Sequence, residues 1–233
     1  MKISTVIVPQ TARLDAHVTL THLPEPIIRQ LTALATFTNP EWTSRRKMGR
    51  SVTGVPQYIE CWALNGHQLI LPRGLRPRIR MEADVVVEDQ RIVLPPVDFR
   101  WRGQLRPEQR QAVLKALQRA DGVLVGPPGC GKTNMALAYV AARRQPTLLI
   151  VPTRELAYQT LDRARKLFEL PEEAYGLIGD GTQTLGSHLT VGIVQTLIRR
   201  DLAELAGHFS SHSPQSIGSG SQPLLIAKMD SGR

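Results

Sequence analysis

GPPGCGKT, residues 126–133, decides how the rest of this chain is read. Gly126, Gly129 and Gly131 let backbone N–H groups converge on a phosphate chain that side chains at those positions would obstruct. Lys132 is placed to reach terminal phosphates, and the Thr133 hydroxyl to ligate Mg²⁺. Pro127, Pro128 and Cys130 complete the cradle, with position 130 open to any side chain. The apolar triplet at 123–125 predicts a strand before the loop, and KTNMALAYVAARR predicts a helix after it. Bound phosphates would then sit at a helix N-terminus, where the backbone partial charge favours anions.

Outward from the loop, helix and strand patterns alternate. LRPEQRQAVLKALQRA carries Ala112, Val113, Ala116 and Leu117 on one helical stripe; PTLLIVP reads as a buried strand, TRELAYQTLDRARKLFEL as a helix, and TVGIVQTL as a strand with its outgoing turn. Strands separated by helices imply an α/β fold with a parallel sheet covered on both faces. Residues 1–97 have a different texture. THLPEPIIRQLTALATF places Ile27, Leu31, Leu34 and Phe37 near helical spacing, and YIECWAL, HQLILP, ADVVVEDQ and RIVLPP are short apolar runs cut by turn residues. A small α+β domain is expected there, then the main domain over 98–206. From 207 to 233, Ser, Gly, Pro, Gln and His dominate, a composition that predicts a disordered or looped tail.

Bulk properties set limits. The 233 residues are 42% hydrophobic and 21% charged, with no apolar run long enough to cross a bilayer and no N-terminal export signal, so a cytoplasmic protein is expected. Cys61 and Cys130 are read as reduced thiols, since a disulfide at 130 would hinder the loop. The formal charge of +9 favours a polyanionic partner, although solvated basic faces account for many such excesses. Cations concentrate at Arg45, Arg46, Lys47 and Arg50, at Arg73 to Arg80, and at Arg100 to Arg110.

LRPEQRQAV (105–113), the loop, VPTRELAYQ (151–159), IGDGTQ (178–183) and VGIVQTL (191–197), in this order, resemble the first RecA-like motor domain of superfamily 2 DEAD/DEAH-box-type helicases, in the branch of repair helicases and type III restriction subunits. The resemblance covers roughly residues 99–205. It implies ATP with Mg²⁺ as the bound nucleotide and DNA or RNA as partner. By position, Gln109 resembles the glutamine that reads adenine, and residues 126–133 the triphosphate cradle with Lys132 and Thr133 as its catalytic pair. Thr153 and Arg154 resemble a motif that contacts the phosphates of one nucleic-acid strand; Gly181, Gln195 and Thr196 resemble the strand-contacting motifs that follow. Thr153 is equally suited to capping the next helix, and the two roles are compatible. NPEWTSRRKMG (39–49), GVPQYIECW (54–62) and LPRGL (71–75) resemble the accessory region before the motor in some phage and mobile-element helicases. Trp42 beside its arginines suits either base stacking or a small core.

A motor of this kind hydrolyses ATP with an Asp-Glu pair after an apolar strand. After VQTL the later apolar run, LLIAKMD, ends in Lys-Met-Asp-Ser, so Asp230 is not assigned as a metal ligand. The expectation is therefore an incomplete RecA-like domain that binds ATP and nucleic acid with little hydrolysis. A partner chain would supply the second motor domain, and the Ser-rich end reflects a truncated or shifted reading frame or an authentic short tail. Two other readings remain at this point: a non-catalytic nucleic-acid-binding or regulatory module with a remnant loop, and an AAA+ ATPase, whose loop GPPGCGKT also resembles.

Overall fold

The structure, a computed structural model, describes residues 10–15, 17–82, 85–90, 93–119, 122–200, 202–205, 207–209, 213–215, 219–222 and 225–226. The chain divides into two compact units, Met1–Arg91 and Ile92–Arg233.

In the first unit, β1 (Gln10–Leu14) and β2 (His17–Thr21) pair antiparallel, and α1 (Glu25–Leu34) follows. Pro24 and Pro26 start α1 because a proline near the first turn gives up an N–H that has no helical acceptor anyway. Leu31 is buried on its inner stripe and Ile27 and Leu34 pack beside it. Phe37 does not continue that stripe. The helix ends at Leu34, and Thr36–Thr38, with two β-branched threonines, forms β3 instead. After α2 (Pro40–Lys47) come β4 (Tyr58–Glu60), β5 (Ala63–Asn65), β6 (Gln68–Pro72), α3 (Arg76–Glu82) and β7 (Val85–Asp89). The main sheet runs β5-β6-β2-β1-β7, with β7 parallel to β1, while β3 pairs only with β4. Ala12, Leu14, Val18, Leu20, Leu69 and Leu71 face Leu31, Ala35 and Ile79 in one core. Each fully buried leucine contributes roughly 1.5–3 kcal/mol by its removal from water.

The second unit is α/β. It contains α4 (Pro107–Leu117), α5 (Lys132–Arg143), β8 (Thr147–Val151), α6 (Arg154–Leu167), β9 (Tyr175–Gly179), β10 (Thr182–Thr184), β11 (Leu189–Ile193) and α7 (Val194–Leu197). Beyond these, β12 (Ser213–Gln215) pairs with β13 (Ser219–Gln222), and β14 (Leu225–Ile226) joins the sheet. The tail expected to be disordered or looped over 207–233 thus contains short strands, and positions 210–212, 216–218, 223–224 and 227–233, Asp230 among them, lie outside the described residues. Sheet order is β10-β9-β11-β8-β14, parallel throughout except for the β10 edge.

Alternation along β8 serves two faces. Leu149 and Val151 pack with Leu137 and Val140 of α5 and Ala157, Leu161 and Ala164 of α6, whereas Leu148 packs with Ile178 and Leu197 on the other side. Phe99 and Phe168 close the first face, their rings tilted at 5.1 Å.

One expected strand is missing. Val123, Leu124 and Val125 form no ladder, and they are 90%, 40% and 89% exposed. The triplet has the composition of a buried strand, but among the described residues no neighbour offers it hydrogen-bond partners, and a strand is defined by its pairing. Val125→Asp is therefore expected to change the stability of the second unit by less than about 0.5 kcal/mol in urea unfolding. A loss of about 2 kcal/mol or more would mean that the triplet is packed.

Candidate functional site

The phosphate loop is shaped by its glycines and anchored by α4. Gly129 and Gly131 take φ of 77° and 84°, a left-handed conformation that a β-carbon would strain. Gly131 is also the N-cap of α5 and leaves that helix start without a side-chain cap. Lys132 turns back into the loop, donating to the carbonyls of Gly126 at 2.8 Å and Pro127 at 3.1 Å. Its ammonium thus already sits among the loop's backbone atoms, where an incoming phosphate oxygen can replace a carbonyl as partner. The Cys130 Sγ lies over Gly126, at a distance of 2.6 Å from where a β-carbon at that position would stand.

Gln109 is 5% exposed, and its amide is held at both ends. Its Oε1 accepts the Arg106 N–H at 3.0 Å, capping α4, and its Nε2 donates to the Cys130 carbonyl at 2.8 Å. The Arg106 guanidinium donates to the same carbonyl at 2.9 Å. A β-carbon on Gly131 would collide with the Gln109 Nε2, so the glycine also makes room for this anchor. A nucleotide fits this arrangement: open backbone curvature, a helix N-terminus, one ammonium and the Thr133 hydroxyl. Among the described residues no cluster of three or more His, Cys, Asp and Glu gathers to hold a metal by itself, so Mg²⁺ would arrive with the phosphates and take Thr133 as protein ligand.

The other predicted residues collect at the carboxyl ends of the parallel strands. Ile193 of β11 is in register with Val151 of β8, and Gly192 with Ile178 of β9, so the segments after these strands leave from one edge. Loops at such an edge are where open α/β sheets bind ligands. Thr153 caps α6, its hydroxyl oxygen accepting the Leu156 N–H at 3.3 Å. Asp180 and Gly181, with φ of 53° and 75°, make the two-residue turn between β9 and β10. The Arg154 guanidinium donates to Asp180 Oδ1 at 3.1 Å and the Tyr158 hydroxyl to Oδ2 at 2.9 Å. This ties the start of α6 to the hairpin turn.

Those two donors, Tyr158 first and then Arg154, hold the Asp180 carboxyl below the usual aspartate range. Because the folded value is depressed, this contribution to stability is fully present above the ordinary aspartate pKa. It is lost as pH falls through the lowered value. Tyr158→Phe removes the larger cause, so the Asp180 titration followed by carboxyl-carbon NMR is expected to move up toward the ordinary value. An unchanged midpoint would mean that the hydroxyl does not hold the carboxylate.

Gln195 is exposed and Thr196 half-buried at the start of α7, and they line a concavity of about 510 Å³ together with Arg199 and Arg200. The two arginines were not among the residues singled out from sequence. Their signal was present, since each stands four residues after Gln195 or Thr196, one helical turn on. The predicted residues therefore form two groups, the loop with Gln109 and the strand-edge set with Thr153, Arg154, Gly181, Gln195 and Thr196.

Residues 106–203 match the model of the DEAD/DEAH box helicase family. The chain is 34% identical over 106 residues to the DNA 3'-5' translocase XPB2 of Sulfurisphaera tokodaii, a match covering 45% of this chain and 24% of that protein. It is 33% identical over 102 residues to Rad25 of Haloarcula marismortui, covering 42% and 16%. The chain thus spans under a quarter of the length of these relatives. The crystal structure of the UvsW helicase from bacteriophage T4 aligns with a TM-score of 0.58 at 18% identity, over 83% of this chain and 78% of that one, and shares its fold. No described helix is long and apolar enough to cross a membrane.

Proposed function

We propose that this chain, whose residues 106–203 match the DEAD/DEAH box helicase model, is a helicase module binding ATP·Mg²⁺ at residues 126–133 and one strand of DNA along the carboxyl edge of its parallel sheet. The observation that supports this most directly is the loop itself. Two left-handed glycines precede a helix whose N-terminus carries no side-chain cap and whose first residue, Lys132, turns inward to the loop. In this reading the loop N–H groups and Lys132 neutralise the phosphate chain, and Thr133 would hold a magnesium ion that would supply further charge neutralisation. To read the adenine, Gln109 would have to exchange its present partners, the Arg106 N–H and the Cys130 carbonyl, for the base. Thr153, Arg154, Gly181, Gln195 and Thr196 follow the phosphates of the strand.

Residues 1–97 act as an accessory domain and 98–206 as the motor lobe, in a cytoplasmic setting. The 233 residues contain no Asp-Glu pair, so binding without appreciable turnover is expected. The test is titration of the whole chain with a fluorescent ATP analogue and Mg²⁺, alongside steady-state phosphate release with single-stranded DNA. Saturable binding with background turnover is the expected result. Absence of nucleotide binding overturns the reading, and robust DNA-stimulated turnover overturns its binding-only form.

A further inference from the structure

We infer that the first unit carries its own binding surface for single-stranded nucleic acid, built from α2 and the β3–β4 ribbon and independent of the nucleotide loop. α2 gives little to the core of the first unit. None of its residues is buried, and Trp42 is not among the side chains packed on the first unit's core. A helix with no inward face gains little from the fold, so its side chains are available for something else.

Those side chains are of two kinds. Arg46, one turn after Trp42, lays its guanidinium over the indole at 5.0 Å, a flat composite of cation and ring. Around it stand four cations against one carboxylate within residues 40–50. Glu41 pairs with Arg45 at 2.6 Å, and among the described residues Lys47 and Arg50 make no ion pair. The end of α2 concentrates this charge. Gly49 at φ 65° reverses the chain, its N–H reaching the Arg46 carbonyl at 3.2 Å, and the Arg50 N–H reaches the Arg45 carbonyl at 2.9 Å. This double closure folds Arg50 back beside the last helical turn. One or two cations would satisfy the helix dipole; the excess calls for a polyanion.

The ribbon supplies apolar planes. Phe37 and Ile59 face each other across β3 and β4 on one side, 53% and 41% exposed. The buried Asn39 joins ribbon to helix: its Oδ1 accepts the Glu41 N–H, its Nδ2 donates to the Pro56 carbonyl, and its own N–H donates to the Gln57 carbonyl. The Phe37–Ile59 pair and the Trp42–Arg46 stack therefore flank one junction. The exposed Phe37 ring and the half-buried Trp42 ring beside unpaired cations match unstacked bases on a phosphate backbone, and a duplex, whose base faces are covered, cannot use the rings.

The test is fluorescence anisotropy of the full chain, without nucleotide, on an oligothymidylate of about 15 nucleotides and on a duplex of equal length. Phe37→Ala, at an exposed position outside the core, is expected to weaken single-strand binding about tenfold and leave duplex binding unchanged. Trp42→Ala should do likewise, with Trp42→Phe restoring most of the loss. Replacing Arg46, Lys47 and Arg50 by Ala should reduce the salt slope by about 0.7 per lost phosphate contact. Wild-type affinity in Phe37→Ala and Trp42→Ala, or equal affinity for duplex and single strand, overturns the inference. If Arg154→Ala abolishes binding while these variants do not alter it, the surface of the first unit is refuted and the proposed function stands. Loss of ATP binding in Lys132→Ala with single-strand binding retained tests the loop separately.

Discussion

Lys132→Ala is expected to weaken ATP binding roughly a hundredfold while leaving the fold intact. The ammonium donates into the first turn of the loop, at 2.8 Å and 3.1 Å from the Gly126 and Pro127 carbonyls, and a bound triphosphate would take it over as a charge-assisted contact. Removing one partner of such a pair costs about 3 kcal/mol, which is the hundredfold change. The two carbonyls it releases lie at a solvent-facing loop, so the cost to stability should stay near about 1 kcal/mol. A titration of the fluorescent nucleotide together with a urea midpoint separates these effects. Equal affinity in the variant would remove Lys132 from the site.

Gly176→Ala is expected to have the largest effect on stability, about 3 kcal/mol or more, lowering the urea midpoint of the second unit or preventing its folding. Gly176 lies in the fully buried strand β9. A β-carbon there would run into the backbone N of Gly186 and stand 2.5 Å from the Thr184 carbonyl oxygen and 2.8 Å from the Thr190 hydroxyl. None of these can swing aside. The Gly186 N–H is itself donated to the Thr190 hydroxyl at 3.0 Å, and the Leu177 N–H to the Thr184 hydroxyl at 3.0 Å, so relief of the clash would open buried hydrogen bonds. Gly74→Ala is the control. Nothing lies within 4 Å of the added methyl, and a change below about 0.5 kcal/mol is expected.

Much of the second unit was legible because its signals are local. Thr153 ahead of Arg154 and Glu155 marks the start of α6, and the proline at 107 marks that of α4. The unbroken apolar run from Leu148 to Val151 marks a strand buried on both faces. What escaped depends on distant partners. The triplet at 123–125 has strand composition, but the ladder that makes a strand comes from neighbours no local pattern announces. β9 went unread since YGLIG spends two of five residues on glycine, and those glycines make sense only beside Gly186 and Ile193. The Asp-Gly turn at 180–181 carried its hairpin signal in two letters, yet its ties to Arg154 and Tyr158 come from a helix over twenty residues away. Gln109 was singled out for a nucleobase; its hydrogen bond to Cys130 spans 21 positions and follows from the fold alone.

The bare triplet before the loop also sets a gradient of protection along the chain. The amides of Val123, Leu124 and Val125 have no acceptor among the described residues, whereas those of β8 and β11 are locked into a parallel ladder inside the core. In heavy water the first three should exchange at nearly the rate of an unstructured peptide, and the ladder amides only when the unit opens as a whole. The phosphate loop is therefore a boundary in time as well as in space: among the described residues its side-chain anchors arrive from the starts of α4 and α5, and the triplet on its strand side contributes no slow-exchanging proton.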